Sequence, residues 1–138
     1  MISVNSAFSK FINECKSIPE KNIIHKIIQL FVRGLEVSSV NEQNSCKILY
    51  INMKGILNIG SNKTSSDAKS IPFNNLVCSY TENIVNLFDI SCNETFYKIE
   101  LAYNSTAISF SERYNQLVDS FNNFKKIAPT KKQYFKLD

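Results

Sequence analysis

The chain has 138 residues, of which 43% are hydrophobic and 20% charged, and its formal net charge is +4. These values are typical of a single globular domain with a buried core and argue against a disordered chain. Residues 1–34 carry five basic and two acidic side chains, and residues 111–138 carry six and three. Basic ends favour an anionic surface, although solvated lysines are the more common explanation of such a pattern.

The chain has four widely spaced cysteines, which are Cys15, Cys46, Cys78 and Cys92. Because zinc sites need clustered ligands, this spacing predicts no metal site, and we expect no cofactor. Residues 1–18 lack the continuous apolar segment of a signal peptide, and no apolar run is long enough to span a bilayer. We therefore expect an intracellular protein, cytoplasmic or peripheral to the cytoplasmic face of an internal membrane, with free and mostly buried thiols.

Two helices are predicted at the start of the chain. The first is indicated by the helical spacing of Phe8, Phe11, Ile12 and Cys15. The second covers about residues 20–33, and Gly34 is typical of the residue that ends a helix. Its wide apolar stripe must pack on the domain or on a partner, and the candidate partner-binding residues on it are Ile24, Ile28 and Phe31.

The middle of the chain predicts short strands separated by turns. A polar loop at residues 60–68 has strong turn chemistry. Alternation of apolar and polar residues is clearest over residues 96–103. About six or seven short strands are predicted, over residues 47–52, 56–59, 69–73, 76–80, 96–103 and 106–110, together with an extended stretch at 35–40 and an apolar stretch with breaks at 84–90.

A final amphipathic helix is predicted after Ser111, a possible N-cap. Its apolar residues are Tyr114, Leu117, Val118, Phe121 and Phe124. We expect it to end near Lys125–Lys126, because Pro129 disfavours continuation, and to leave residues 129–138 as a basic tail. The order of elements predicts an α+β, mainly β fold, in which a helix covers one opening of an antiparallel sheet or partly open barrel.

Three segments in the predicted strands resemble pleckstrin-homology (PH) domains. Residues 46–60 look like their early strands, and residues 69–76 (KSIPFNNL) resemble the K-x-I-P-L-x-D-I segment of phospholipase C and related proteins. Residues 96–101 and 107–114 resemble the late strands and the helix entry. The resemblance implies a seven-stranded sandwich capped by a C-terminal helix over residues 34–128, with residues 1–33 as a helical extension.

Within that superfamily, residues 31–37 (FVRGLEV) are similar to the first strand of small PH-like proteins that mark sub-compartments of the apicomplexan inner membrane complex. This resemblance implies a membrane-associated scaffold that docks an unidentified protein partner. Those proteins are acylated on a glycine after the initiator methionine and on nearby cysteines. Here Ile2 follows Met1 and the first cysteine is Cys15, so acylation is not carried over.

An alternative function is phosphoinositide or acidic-lipid binding, since PH domains that bind headgroups gather several cations on the phosphates. The candidate lipid-binding residues are Lys47, Lys54, Lys63 and Lys69. This group contains no arginine, and Glu36 and Glu42 dilute its charge. We therefore favour protein docking, for which a groove between a sheet edge and the last helix is one possible site.

The remaining classes are disfavoured by the residues themselves. No G-x-S-x-G motif or glycine-rich phosphate loop is present, so we expect no enzyme. The aromatic residues follow core periodicity, which argues against nucleic-acid binding. A third alternative is an unrelated α+β domain that dimerises through its N-terminal helix, so the expected state is a monomer or a weak homodimer.

Overall fold

The computed structural model describes residues 6–40, 46–63 and 68–137, with side chains in the last range up to residue 127. Two short 3-10 turns, Pro19–Lys21 and Phe73–Asn75, link neighbouring elements. The helices are α1 (Ala7–Ser17), α2 (Asn22–Arg33) and α3 (Asn104–Leu137). The strands are β1 (Leu35–Ser39), β2 (Cys46–Ile51), β3 (Ile56–Gly60), β4 (Lys69–Pro72), β5 (Leu76–Thr81), β6 (Ile84–Asp89) and β7 (Glu94–Glu100).

The described strands form one antiparallel sheet in the order β4-β3-β2-β1-β7-β6-β5. Two meanders, β1 to β4 and β5 to β7, are joined where Ser38 of β1 pairs with Glu100 of β7. The sheet is not closed, because β4 and β5 remain its edges. The prediction of an α+β fold with an antiparallel sheet, N-terminal helices and a C-terminal helix is confirmed.

The two N-terminal helices form as predicted, except that residues 19–21 form a 3-10 turn and α2 begins at Asn22. The hydroxyl of Ser6 accepts a hydrogen bond from the backbone N–H of Ser9 and so caps α1. Helix α2 ends at Gly34, whose φ of 101° is readily adopted only by glycine. Its apolar stripe is buried at Ile24, Ile27, Ile28 and Phe31.

Helix α3 differs from its prediction at both ends. Residues 106–110, predicted as a strand, form its second turn, because Ala107 and Phe110 continue the buried helical stripe of Tyr114 and Leu117. The preceding strand ends at Glu100 rather than at residue 103. The helix also does not end near residues 125–126. Pro129 deprives only the carbonyl four residues earlier, on exposed Lys125, of its helical N–H partner, and the helix continues to Leu137.

An aromatic cluster joins the beginning and the end of the chain. The ring centroid of Phe8 lies 5.0 Å from that of Phe73 and 5.7 Å from that of Phe121. Phe31 packs edge-on against Tyr114 at 5.4 Å. Residues 1–33 were predicted as an extension of the domain, yet α1 and α2 contribute to the same buried core as the sheet and α3.

Candidate functional site: a groove between α1 and α3

The four candidate lipid-binding lysines lie in different parts of the sheet. Lys54 is in the β2–β3 turn, whereas Lys47 is the second residue of β2. A strand rises about 3.3–3.4 Å per residue, so the turn begins about 17 Å from Lys47 along β2. Lys63 lies on the outer face of β2, where its Nζ is 5.4 Å from the centroid of the Tyr50 ring.

Only Lys47 and Lys69 share a face of the sheet. Each precedes a buried strand residue by two positions, Leu49 and Ile71 respectively, so both side chains project from the core-facing side. The Nζ of Lys69 lies 5.2 Å from the ring centroid of Phe96 and 3.4 Å from its carbonyl oxygen. The four lysines are therefore not brought together, and binding of a lipid headgroup by them stays a prediction.

The candidate partner-binding residues of α2 are in the core. Ile28 and Phe31 are 2% exposed and Ile24 is 9% exposed. The inner stripe of α2 is therefore covered by the chain itself, and the ring of Phe31 packs on Phe110 and Tyr114 of α3. Partner binding or dimerisation through these three residues stays a prediction, and the structure leaves them little surface for it.

The edge between β5 and α3, a possible peptide-binding groove, is occupied by helix side chains. The side-chain amide of Asn115 accepts a hydrogen bond from the backbone N–H of Cys78 at 2.8 Å and donates to its C=O at 2.9 Å. The hydroxyl of Tyr114 donates to the carbonyl of Phe73 at 2.7 Å. A strand added to β5 would have to replace the pairing at Cys78.

A groove of about 390 Å³ lies between the C-terminal end of α1 and helix α3. Its apolar lining comes from Ile18, Phe124 and Ile127. Ile127 is 53% exposed, and the ring of half-buried Phe124 packs on Phe11 at 5.5 Å. The groove is thus an apolar surface continuous with the core but open to solvent.

The rim of the groove is polar and its charge differs between the two sides. On the α1 side, Lys21 forms an ion pair and hydrogen bond with Glu14. On the α3 side the lining residues are Ser120 and Asn123. Residues 120–127 include two lysines and no acidic residue. Both lysines, Lys125 and Lys126, are exposed on α3 next to the groove, although neither lines it.

The thiols divide into a buried and an exposed pair, so the expectation of mostly buried thiols holds for half of them. Burial raises the pKa of Cys15, behind the groove on α1, to about 11, and it raises the pKa of Cys78 further. Cys92 is exposed, and a hydrogen bond with Asp89 raises its pKa. Cys46 is exposed because it begins β2 on the outward-facing side.

Sequence reasoning did not identify the groove. Ile18 and Ile127 follow Cys15 and Phe124 by three positions and continue their apolar spacing. However, Ile18 directly precedes Pro19, and the helix end predicted near Lys125–Lys126 leaves Ile127 outside the last helix. Among the residues that the structure describes, no helix is long and apolar enough to cross a membrane. Comparison of the chain with protein-family models, curated proteins and solved structures gave no match.

Proposed function

We propose that this chain is a non-catalytic, PH-like docking domain whose groove between α1 and α3 binds an amphipathic helix of a partner protein. The observation that carries the proposal is the open apolar surface of Ile18, Phe124 and Ile127. The PH-like part is supported by two antiparallel meanders of four and three strands, followed by a helix packed along the last edge.

A helix is the partner element that fits this groove. Two helices already form its walls, and a third helix packs against such a pair through apolar residues spaced i, i+3, i+4 and i+7. The volume of about 390 Å³ accommodates a few apolar side chains. Lys125 and Lys126, next to Ile127, favour acidic residues along one flank of the partner helix.

Protein docking is supported over headgroup binding by the separation of the candidate lysines. A phosphoinositide site needs several donors directed at the same phosphates. Here Lys54 lies at the opposite end of β2 from Lys47, and Lys63 lies on the opposite face of the sheet from Lys69. The resemblance to inner membrane complex proteins adds the proposal that docking takes place at an internal membrane.

The test uses the full chain and a displayed library of helical peptides with fixed apolar residues at i, i+3, i+4 and i+7 and variable flanks. We expect selection to enrich Asp and Glu on one flank, and fluorescence anisotropy to give the affinity of each selected peptide. Ile127→Glu should weaken binding about tenfold or more, because it places a carboxylate in the apolar contact.

The matched control is Ile90→Glu, since Ile90 is 58% exposed but lies in the β6–β7 turn. This variant should bind the selected peptides like the original chain. The proposal is wrong if no peptide is enriched, or if the selected peptides bind the Ile127→Glu and Ile90→Glu variants equally well.

A further inference from the structure

The outer side of helix α2 carries a second, unpartnered stripe. Ile23 is 65% exposed and Leu30 is 38% exposed, although both are large aliphatic residues. They are seven positions apart, so they lie on one side of the helix about 10.5 Å from each other along its axis. Lys26 and Arg33 occupy the same stripe, which we call the α2 outer stripe and define as Ile23, Lys26, Leu30 and Arg33.

The cations of the α2 outer stripe are not neutralised within the described part of the chain. Neither Lys26 nor Arg33 forms an ion pair there, and both are exposed. Lys63 adds a further cation at the end of the helix, with its Cε 3.2 Å from the position that a Cβ on Gly34 would occupy. The exposed acidic residues nearest in sequence, Glu20 and Glu36, lie outside the helix at either end.

An alternation of aliphatic and cationic side chains along an exposed helix suits an anionic bilayer surface. The aliphatic residues enter the boundary between headgroups and acyl chains, while Lys and Arg remain at the level of the phosphates. A protein interface would instead deplete charge at its centre, whereas here Lys26 lies between Ile23 and Leu30.

We infer that the α2 outer stripe holds the domain against an anionic membrane through Ile23, Lys26, Leu30 and Arg33. This contact involves none of the sheet and turn residues Lys47, Lys54 or Lys69. It is independent of the groove between α1 and α3, so either proposal can fail alone. The resulting state is a peripheral one, in which α2 lies along the membrane surface.

The test is sedimentation of the full chain with vesicles of phosphatidylcholine alone and of phosphatidylcholine and phosphatidylserine in equal parts. We expect binding only to the acidic vesicles, and we expect it to decrease as salt is raised. Lys26→Glu with Arg33→Glu should weaken binding about thirtyfold or more, from the usual contribution of each cation near an acidic surface. Ile23→Ser with Leu30→Ser should weaken it at least about tenfold.

The matched control, Lys98→Glu with Arg113→Glu, makes the same change in net charge at exposed positions outside α2. It should keep most of the binding to acidic vesicles. Circular dichroism establishes that each variant is folded, as expected for substitutions at exposed residues.

Three outcomes overturn the inference. The first is no salt-sensitive binding of the original chain to acidic vesicles. The second is an equal loss of vesicle binding in the control and in the Lys26→Glu, Arg33→Glu variant, which would mean that binding depends on net charge alone. The third is a dimer in sedimentation equilibrium that the α2 substitutions dissociate, without vesicle binding, which would assign the stripe to a second copy of the chain.

Discussion

At the β5 edge of the sheet, a helix lies along the strand and its side chains take up backbone hydrogen bonds, whereas no described helix lies along the β4 edge. Asn115 pairs with both backbone groups of Cys78. The backbone N–H of Phe73, directly after β4, donates to the carbonyl of Gly55. Because alternate residues of an antiparallel strand bond to the neighbouring strand, the backbone groups of Ser70 and Pro72 point away from β3. Pro72 has no N–H, which leaves Ser70 as the only outward backbone donor within β4.

The difference between the edges shows two ways to prevent unwanted strand pairing. The six-residue β5 is covered by packing, which ties its protection to the stability of α3. The four-residue β4 is protected by its length and by a proline, which requires no other element. Damage to α3 should therefore affect the β5 edge and leave the β4 edge unchanged.

The largest expected effect is on the anchor of α3. Phe121→Ala removes a ring that packs on Phe8, Phe11 and Phe73. It should lower the free energy of unfolding by about 3–5 kcal/mol, because it leaves a cavity in the core. Urea denaturation measures this loss. Val77→Ala, at a 42% exposed position on β5, should cost less than about 1 kcal/mol, and equal losses would contradict the anchoring role.

A smaller effect is expected at the covered edge itself. Asn115→Ala leaves the N–H and C=O of Cys78 without their partners, which should cost about 1–3 kcal/mol. Hydrogen exchange should show faster exchange of the Cys78 amide. Ser70→Ala at the other edge removes only an exposed side-chain hydrogen bond to Asn58 and should change stability by less than about 0.5 kcal/mol. An unchanged Cys78 exchange rate in Asn115→Ala would show that the edge is not covered in solution.

The last prediction needs no substitution and concerns the reactivity of the four thiols, one of which lies at the covered edge. Cys78 at the covered edge and Cys15 behind the groove should resist a thiol reagent at neutral pH, because burial restricts access and raises their pKa. The exposed Cys46 and Cys92 should react, so the folded chain should titrate two of its four thiols and the urea-unfolded chain all four. Rapid reaction of a third thiol in the folded chain would indicate that a buried edge opens.

The type of each helix or strand was easier to predict from the sequence than the residues against which it packs. The apolar stripe of α2 and the alternation in β7 gave the correct type of element because each depends on neighbours in the chain. Residues 106–110 were assigned to a strand because their apolar residues suit either period. These residues form a helix because Ala107 and Phe110 are buried on the same helix face as Tyr114.

The candidate site was less accessible to sequence reasoning than the fold. Ile18 and Ile127 are more than 100 positions apart, and no local pattern indicates that they line one groove. The four lysines looked like one group because they are close in sequence. Their separation depends on strand register and on the alternation of side chains between the two faces of the sheet. Leu49 faces the core, so Tyr50 lies on the outer face, and Lys63 lies there over its ring.

The aromatic cluster also determines when the N-terminal helix can be buried during synthesis. Phe8 and Phe11 are translated more than 100 positions before Phe121 and Phe124, against which they pack. Until α3 has left the ribosome, the apolar face of α1 lacks its partners and is available to chaperones or to other nascent chains. Burial of α1 consequently depends on contacts of high sequence separation, and it is completed only once α3 has emerged.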